Sequence, residues 1–201
     1  MPKQVDVKKC VLLSVAPYYS YMIMEGRKTV EVRKSVPKIE PPFKCYVYET
    51  LGRKIVLSDV CKGAVNEGVG KIVGEFVCDK IVPFSLNNNG SYVMPYKEIQ
   101  GRTCMTVYEA KKYGKGKPLY GWHISNFVEY DKPRDLSEFK KIGFMTDEEW
   151  LAALYPNTHC HYEAWVKKFE IKRPPQSWCY VSPLKAIYHT SNPPLCEADK
   201  S

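Results

Sequence analysis

Gly26-Arg27-Lys28-Thr29-Val30-Glu31-Val32-Arg33 is the stretch on which the reading of the fold turns. Its second half alternates. Val30 and Val32 point one way, Glu31 and Arg33 the other, and the β-branched residues at 29, 30 and 32 favour a strand. Just upstream, residues 10–15 alternate as well, with Val11, Leu13 and Val15 on one face, which predicts another strand. Between the two, Pro17 suits the first turn of a helix over 18–25, and Gly26 suits its C-terminal stop. Arg27 and Lys28 then follow the helix end, where cations meet the negative pole of its dipole. The unit is therefore strand, helix, glycine stop, strand.

Working outward, residues 45–50, 71–82 and 119–129 read as further strands. Loops are expected at 37–42, which proline breaks, at 59–70, which holds three glycines, and at 85–91, rich in asparagine. A short helix is predicted over 106–113, ended by the Gly-Lys-Gly-Lys-Pro turn at 114–118. From Ser137 the pattern changes. Thr146, with Glu149 three residues on, is a helix start, and 163–168 adds a second short piece. Residues 172–181 end in a short apolar strand, and 191–201 read as a flexible tail. Strands dominate, with helices between them and no repeated parallel βαβ rhythm. This predicts an α+β fold built on a curved sheet or small barrel. At 201 residues the chain is expected to be one domain carrying an insertion or tail.

Composition narrows the function. Hydrophobic residues make up 44%, which excludes a disordered chain. The net charge is +8, and residues 1–54 hold 11 basic against 5 acidic residues, a net of +6. Such a balance favours anionic partners, nucleic acid foremost. The opening residues do not read as a secretory signal, and no apolar run approaches the ~18 residues of a membrane span, so no membrane partner is expected. The eight cysteines are scattered and read as buried free thiols in a reducing cytoplasm. His159-Cys160-His161 puts ligands side by side, a poor geometry for one ion, so no metal and no cofactor is expected.

The quoted stretch resembles the Gly-x-Lys-x-x-Glu-x-Arg signature of ASCH domains, members of the PUA-like superfamily. Gly70–Phe76 (Gly-Lys-Ile-Val-Gly-Glu-Phe), Tyr120-Gly-Trp-His-Ile124, the 133–139 segment and Pro174-Pro-Gln-Ser-Trp-Cys-Tyr-Val181 agree with it; the last resembles the end of bacterial and phage-borne members. The resemblance runs from about Val11 to Val181. It implies a PUA-like small open β-barrel with short helices. The whole chain is then a single ASCH domain, with 137–172 as an inserted helical segment. It also implies a cleft lined by the signature, and binding of RNA, single-stranded DNA or a modified nucleotide. One branch of the family hydrolyses 4-acetylcytidine, and another is reported to cleave RNA.

Each signature residue has two roles open to it. Lys28 suits a phosphate, or simply caps the helix dipole. Glu31 and Arg33 are expected to share the outer face of the strand and form a structural pair, or Glu31 receives the exocyclic amine of a base while Arg33 holds phosphate or orients it. Arg27 and Lys34, with Lys38, line the approach. Tyr18, beside Ser14, and Trp122 are candidate base platforms or core residues, as are Tyr19 and Trp178. The alternative to a binding module is a hydrolase of a modified nucleoside, or a ribonuclease. In the hydrolytic branch the signature carries a threonine nucleophile where this chain has Glu31. A catalytic role would then have Glu31 activate water and Lys28 stabilise an oxyanion. Thr29 lies on the opposite face of the strand.

Overall fold

The computed structural model describes residues 9–52, 68–94, 101–141 and 170–183. The expected helix from Thr146, the piece at 163–168 and the tail at 191–201 lie outside them. Among these residues, eight strands and two α-helices follow in the order β1 (Cys10–Val15), α1 (Pro17–Met24), β2 (Val30–Arg33), β3 (Phe43–Glu49), β4 (Ile72–Pro83), β5 (Ser85–Leu86), β6 (Tyr92–Val93), α2 (Val107–Gly114), β7 (Tyr120–Arg134) and β8 (Trp178–Val181). Pro17 opens α1 as expected, and Gly26, at φ 64°, takes the left-handed turn just past its end. Thr106 and Glu109 close a reciprocal capping box on α2.

Six strands form one sheet in the order β2-β7-β4-β3-β1-β8. All neighbours are antiparallel except β1 and β3, which run parallel with α1 and β2 in the crossover between them. One parallel pair is thus present where the sequence pattern suggested none. β5 and β6 form a separate small hairpin, with β5 inside the polar turn expected at 85–91 and β6 just past it.

The sheet curls. Five strand spacings separate β2 from β8, about 24 Å if the sheet were flat. Yet Arg33 on β2 donates to the Ser177 carbonyl, just before β8, at 3.1 Å. The two edges therefore come within one side chain of each other, making the open barrel that the sequence resemblance implies. Inside the curl lie Val11, Leu13, Val15, Phe43, Cys45, Phe76, Trp122 and Ile124. The outer face of β1 and β3 is covered as well: Leu12, Tyr46 and Tyr48 pack against Phe139 and Ile171. Those last two come from the ends of the 137–172 segment. β1 is accordingly buried on both faces, whereas alternation alone predicted one.

Candidate nucleic-acid interface

α1, its glycine stop and β2 bring three charges together on the inner face. Beyond Gly26 the backbone N–H groups of Arg27 and Lys28 both donate to the Met22 carbonyl, which turns the Lys28 side chain inward. Lys28 Nζ donates to the carbonyls of Val30 (2.8 Å) and Thr103 (2.6 Å), and lies 3.2 Å from Glu31 Oε2. Two of the ammonium's three donors are thus on carbonyls, and the contact with Glu31 Oε2 is an ion pair without a hydrogen bond. Its Nζ also sits 4.9 Å from the centre of the Tyr19 ring. Arg33 meets Glu31 Oε1 at 2.8 Å, the Ser14 carbonyl at 2.9 Å, and both the carbonyl and hydroxyl of Ser177.

The cluster is buried, with Lys28, Glu31 and Arg33 exposing 2%, 6% and 5% of their surface. The alternation of β2 was read correctly, but the Glu31–Arg33 side faces the inside of the curl. The reason is the pairing of β2 with β7, which sets Glu31 opposite Trp122 and Arg33 opposite Tyr120. Three polar atoms on this inner face lack a hydrogen-bond partner: Glu31 Oε2, Arg33 Nε and Trp122 Nε1.

Ser14 joins the cluster through its carbonyl, while its hydroxyl donates to the Pro175 carbonyl. Lys34, just past β2, is exposed and places Nζ 4.4 Å from the centre of the Tyr113 ring. Arg27 is half-buried, and its carbonyl accepts the Cys104 thiol at 3.4 Å. Trp122, for which core and base platform were both open, is wholly buried, edge-on to Phe43 and tilted against Trp178. Tyr18 packs its ring against Tyr19 with centroids 5.2 Å apart, and Tyr19 meets Lys28 of the cluster.

Two half-buried tyrosines border the charges. Burial, then the nearby carboxylates of Glu109 and Glu31, pushes the Tyr19 phenol up to about 12. Burial also raises the Tyr113 phenol, with Arg33 pulling it down and Glu31 pushing it up. Tyr113, Thr103 and Ser177 were missed by sequence reasoning. Thr103 and Ser177 act mainly through backbone carbonyls, which no side-chain pattern signals. Thr29 is tied elsewhere, its hydroxyl oxygen accepting the Arg102 N–H at 3.0 Å.

Other polar features lie apart from this cluster. On the outer face, His123 Nδ1 is 2.7 Å from Asp79 Oδ1. Burial works against the charged Asp79, but hydrogen bonds from His123 and Ser125 outweigh it and hold the carboxyl below its usual range. A concavity of about 620 Å³ lies against the far half of β7, lined by Val128, Tyr130, Arg134 and Glu138 among others, with no signature residue in it. Among the described residues no His, Cys, Asp and Glu group suits a metal ion.

Solved structures give this architecture its class. The ASCH protein of Zymomonas mobilis superposes with a TM-score of 0.51 at 15% identity, covering 90% of this chain and 93% of that one. A serine-to-alanine mutant of the same protein gives 0.51 at 14%, covering 90% and 94%. A tyrosine-to-phenylalanine mutant gives 0.50 at 14%, covering 88% and 93%. The chain has the fold of these ASCH structures. No protein-family model matches the sequence, and no curated protein matches it significantly.

Proposed function

We propose that this chain is a binding module for single-stranded or modified nucleic acid, with RNA the first partner to test, acting at the rim around Glu31. The observation that carries the reading is Glu31 Oε2, a buried carboxylate oxygen with no hydrogen bond. Lys28, ion-paired at Oε2, and Arg33, at Oε1, hold the carboxylate, and the half-buried rings of Tyr19 and Tyr113 border the cluster. A carboxylate so placed suits the exocyclic amine of a base, and tyrosine rings suit stacking. Exposed Lys34 suits a phosphate. Because the oxygen is covered, a base reaches it only once a neighbouring group gives way.

The side-chain inventory supports binding more than turnover. Lys28 spends two of its three donors on carbonyls and its charge on Glu31, and the Thr29 hydroxyl oxygen accepts the Arg102 N–H. Cys10, Cys45, Cys78, Cys104 and Cys179 are free thiols, which supports a reducing, cytoplasmic setting. No helix among the described residues is long and apolar enough to cross a membrane.

The test is a titration of labelled single-stranded RNA between 50 and 200 mM salt. Expected is an affinity that falls with salt, by about 0.7 in log–log slope per phosphate neutralised. Lys34→Gln together with Tyr113→Leu should lower affinity at least tenfold while the fold, read by circular dichroism, is kept. Binding that ignores both salt and these substitutions would overturn the proposal.

A further inference from the structure

The lysines around α2 were read from sequence only as the end of a helix and a turn. Residues 101–118 hold 5 basic residues and 1 acidic, a net of +4, half of the whole chain's +8. The acidic one, Glu109, is engaged in the capping box. Tyr108, Lys111 and Lys112, spaced i, i+3 and i+4, form one exposed stripe on the helix. Ala110 and Gly114 face the other way and are buried, with Tyr113 half-buried beside them. Lys115 and Lys117 continue the stripe beyond the helix end, and both are exposed.

The stripe sits on a fixed backbone. Lys115 closes the helix in the left-handed conformation, at φ 51°, and the Lys117 N–H returns to the Gly114 carbonyl. The Tyr92 hydroxyl donates to the Lys117 carbonyl at 2.6 Å. Gly114 is obligatory, because a Cβ there would lie 2.1 Å from that hydroxyl. The stripe is also joined to the signature. Thr103, just before α2, accepts Lys28, and Tyr113 lies beneath Lys34.

Helix-dipole complementation accounts for Lys111 and Lys112 in the last turn. It does not account for Lys117 outside the helix, nor for Tyr108, which is 74% exposed. An exposed aromatic among cations is the arrangement that tracks a single strand, with bases on the ring and phosphates on the ammonium groups. We infer that Tyr108, Lys111, Lys112, Lys115 and Lys117 form a track for single-stranded nucleic acid, which carries the strand onward from the Glu31 rim. The inference rests on the binding reading above.

Length dependence tests it, with fluorescence anisotropy on labelled RNA and DNA strands of 3 and 12 nucleotides. The full chain should bind the 12-mers more tightly than the 3-mers. Changing all four lysines to glutamine should reduce the log–log salt slope on the 12-mers by about 2 to 3, at about 0.7 per phosphate. The 3-mers should be unaffected. Tyr108→Ala should weaken the 12-mers about 5- to 150-fold, the range for one lost stacked base. Equal affinity for both lengths, or an unchanged slope in the lysine variant, would overturn the track while leaving the Glu31 rim standing. Binding of 12-mers through the lysines, with no effect of Lys34→Gln and Tyr113→Leu, would support the track and remove the rim. Polyglutamate bound as tightly as RNA, and indifferent to Tyr108→Ala, would mark a general polyanion surface and sink the inference.

Discussion

Two regions of this molecule use the same side chains to opposite ends. On the inner face of β2, Lys28, Glu31 and Arg33 form ion pairs whose side chains are at most 8% exposed. On the outer face of β3, β4 and β7, Lys44 pairs with Glu75, His123 with Asp79, and Arg134 with Glu138, with side chains 22–43% exposed. Outside, water completes whatever the partner leaves unsatisfied. Inside it cannot, so backbone carbonyls must do so, and they are drawn from Val30, Thr103, Ser14 and Ser177. Burial thus turns three charges into a knot joining β2 to β1, to the segment before α2 and to the segment before β8. The outer pairs join only neighbouring strands or one turn of chain.

The largest expected effect breaks that knot. Glu31→Gln leaves two buried cations without their counter-charge, which should cost about 3–5 kcal/mol of stability. Arg33→Lys keeps the charge but loses the planar fork that reaches Glu31, Ser14 and Ser177 together, and should cost less. Urea melts of the three proteins measure both. A loss below about 1 kcal/mol for Glu31→Gln would mean that the inner cluster behaves like the outer pairs, and the contrast would fail.

How much of this could be read in the sequence differs between the two regions. The strand–helix–strand unit was legible because its signals are local: Pro17, Gly26 and the alternation of Val30 with Val32. The closeness of Lys28, Glu31 and Arg33 was legible for the same reason. Which side of β2 faces inward was not, since that depends on pairing with Trp122, some ninety positions along the chain. Thr103 and Ser177 were illegible because a carbonyl carries no residue identity. On the outer side, β7 was expected to end at 129 but runs to Arg134. Its register on β4 jumps from Gly74↔Glu129 to Ile72↔Arg134, so Pro133 sits in a bulge outside the ladder. The proline marks an irregularity within the strand, not its end.

A smaller effect sharpens the comparison from the outer side. Lys44 and Glu75 are 42% and 22% exposed, so Lys44→Ala should cost only about 0.2–1 kcal/mol by urea melt. The loss should shrink as salt rises. Glu75 keeps the Tyr130 hydroxyl at 2.7 Å when Lys44 is gone, so no buried charge is orphaned. A loss matching that of Glu31→Gln would show that exposure is not what separates the two regions.

The smallest effect is seen in acid. The folded Asp79 carboxyl is held below its ordinary value of 3.8. A carboxyl depressed on folding contributes stability above its unfolded value, and that contribution is lost as pH falls through its folded value. The parent should therefore exceed Asp79→Asn in stability at about pH 6 and lose the advantage towards about pH 2. With Asp79 43% exposed, solvent screening keeps the advantage below about 1 kcal/mol. Urea melts across this range read it directly. An advantage that persists at the acid end would assign the stabilisation to packing around the β4 bulge at Asp79 and Lys80. The outer face would then hold its shape by the same means as the inner one, by geometry enforced on the backbone, with charge a secondary partner.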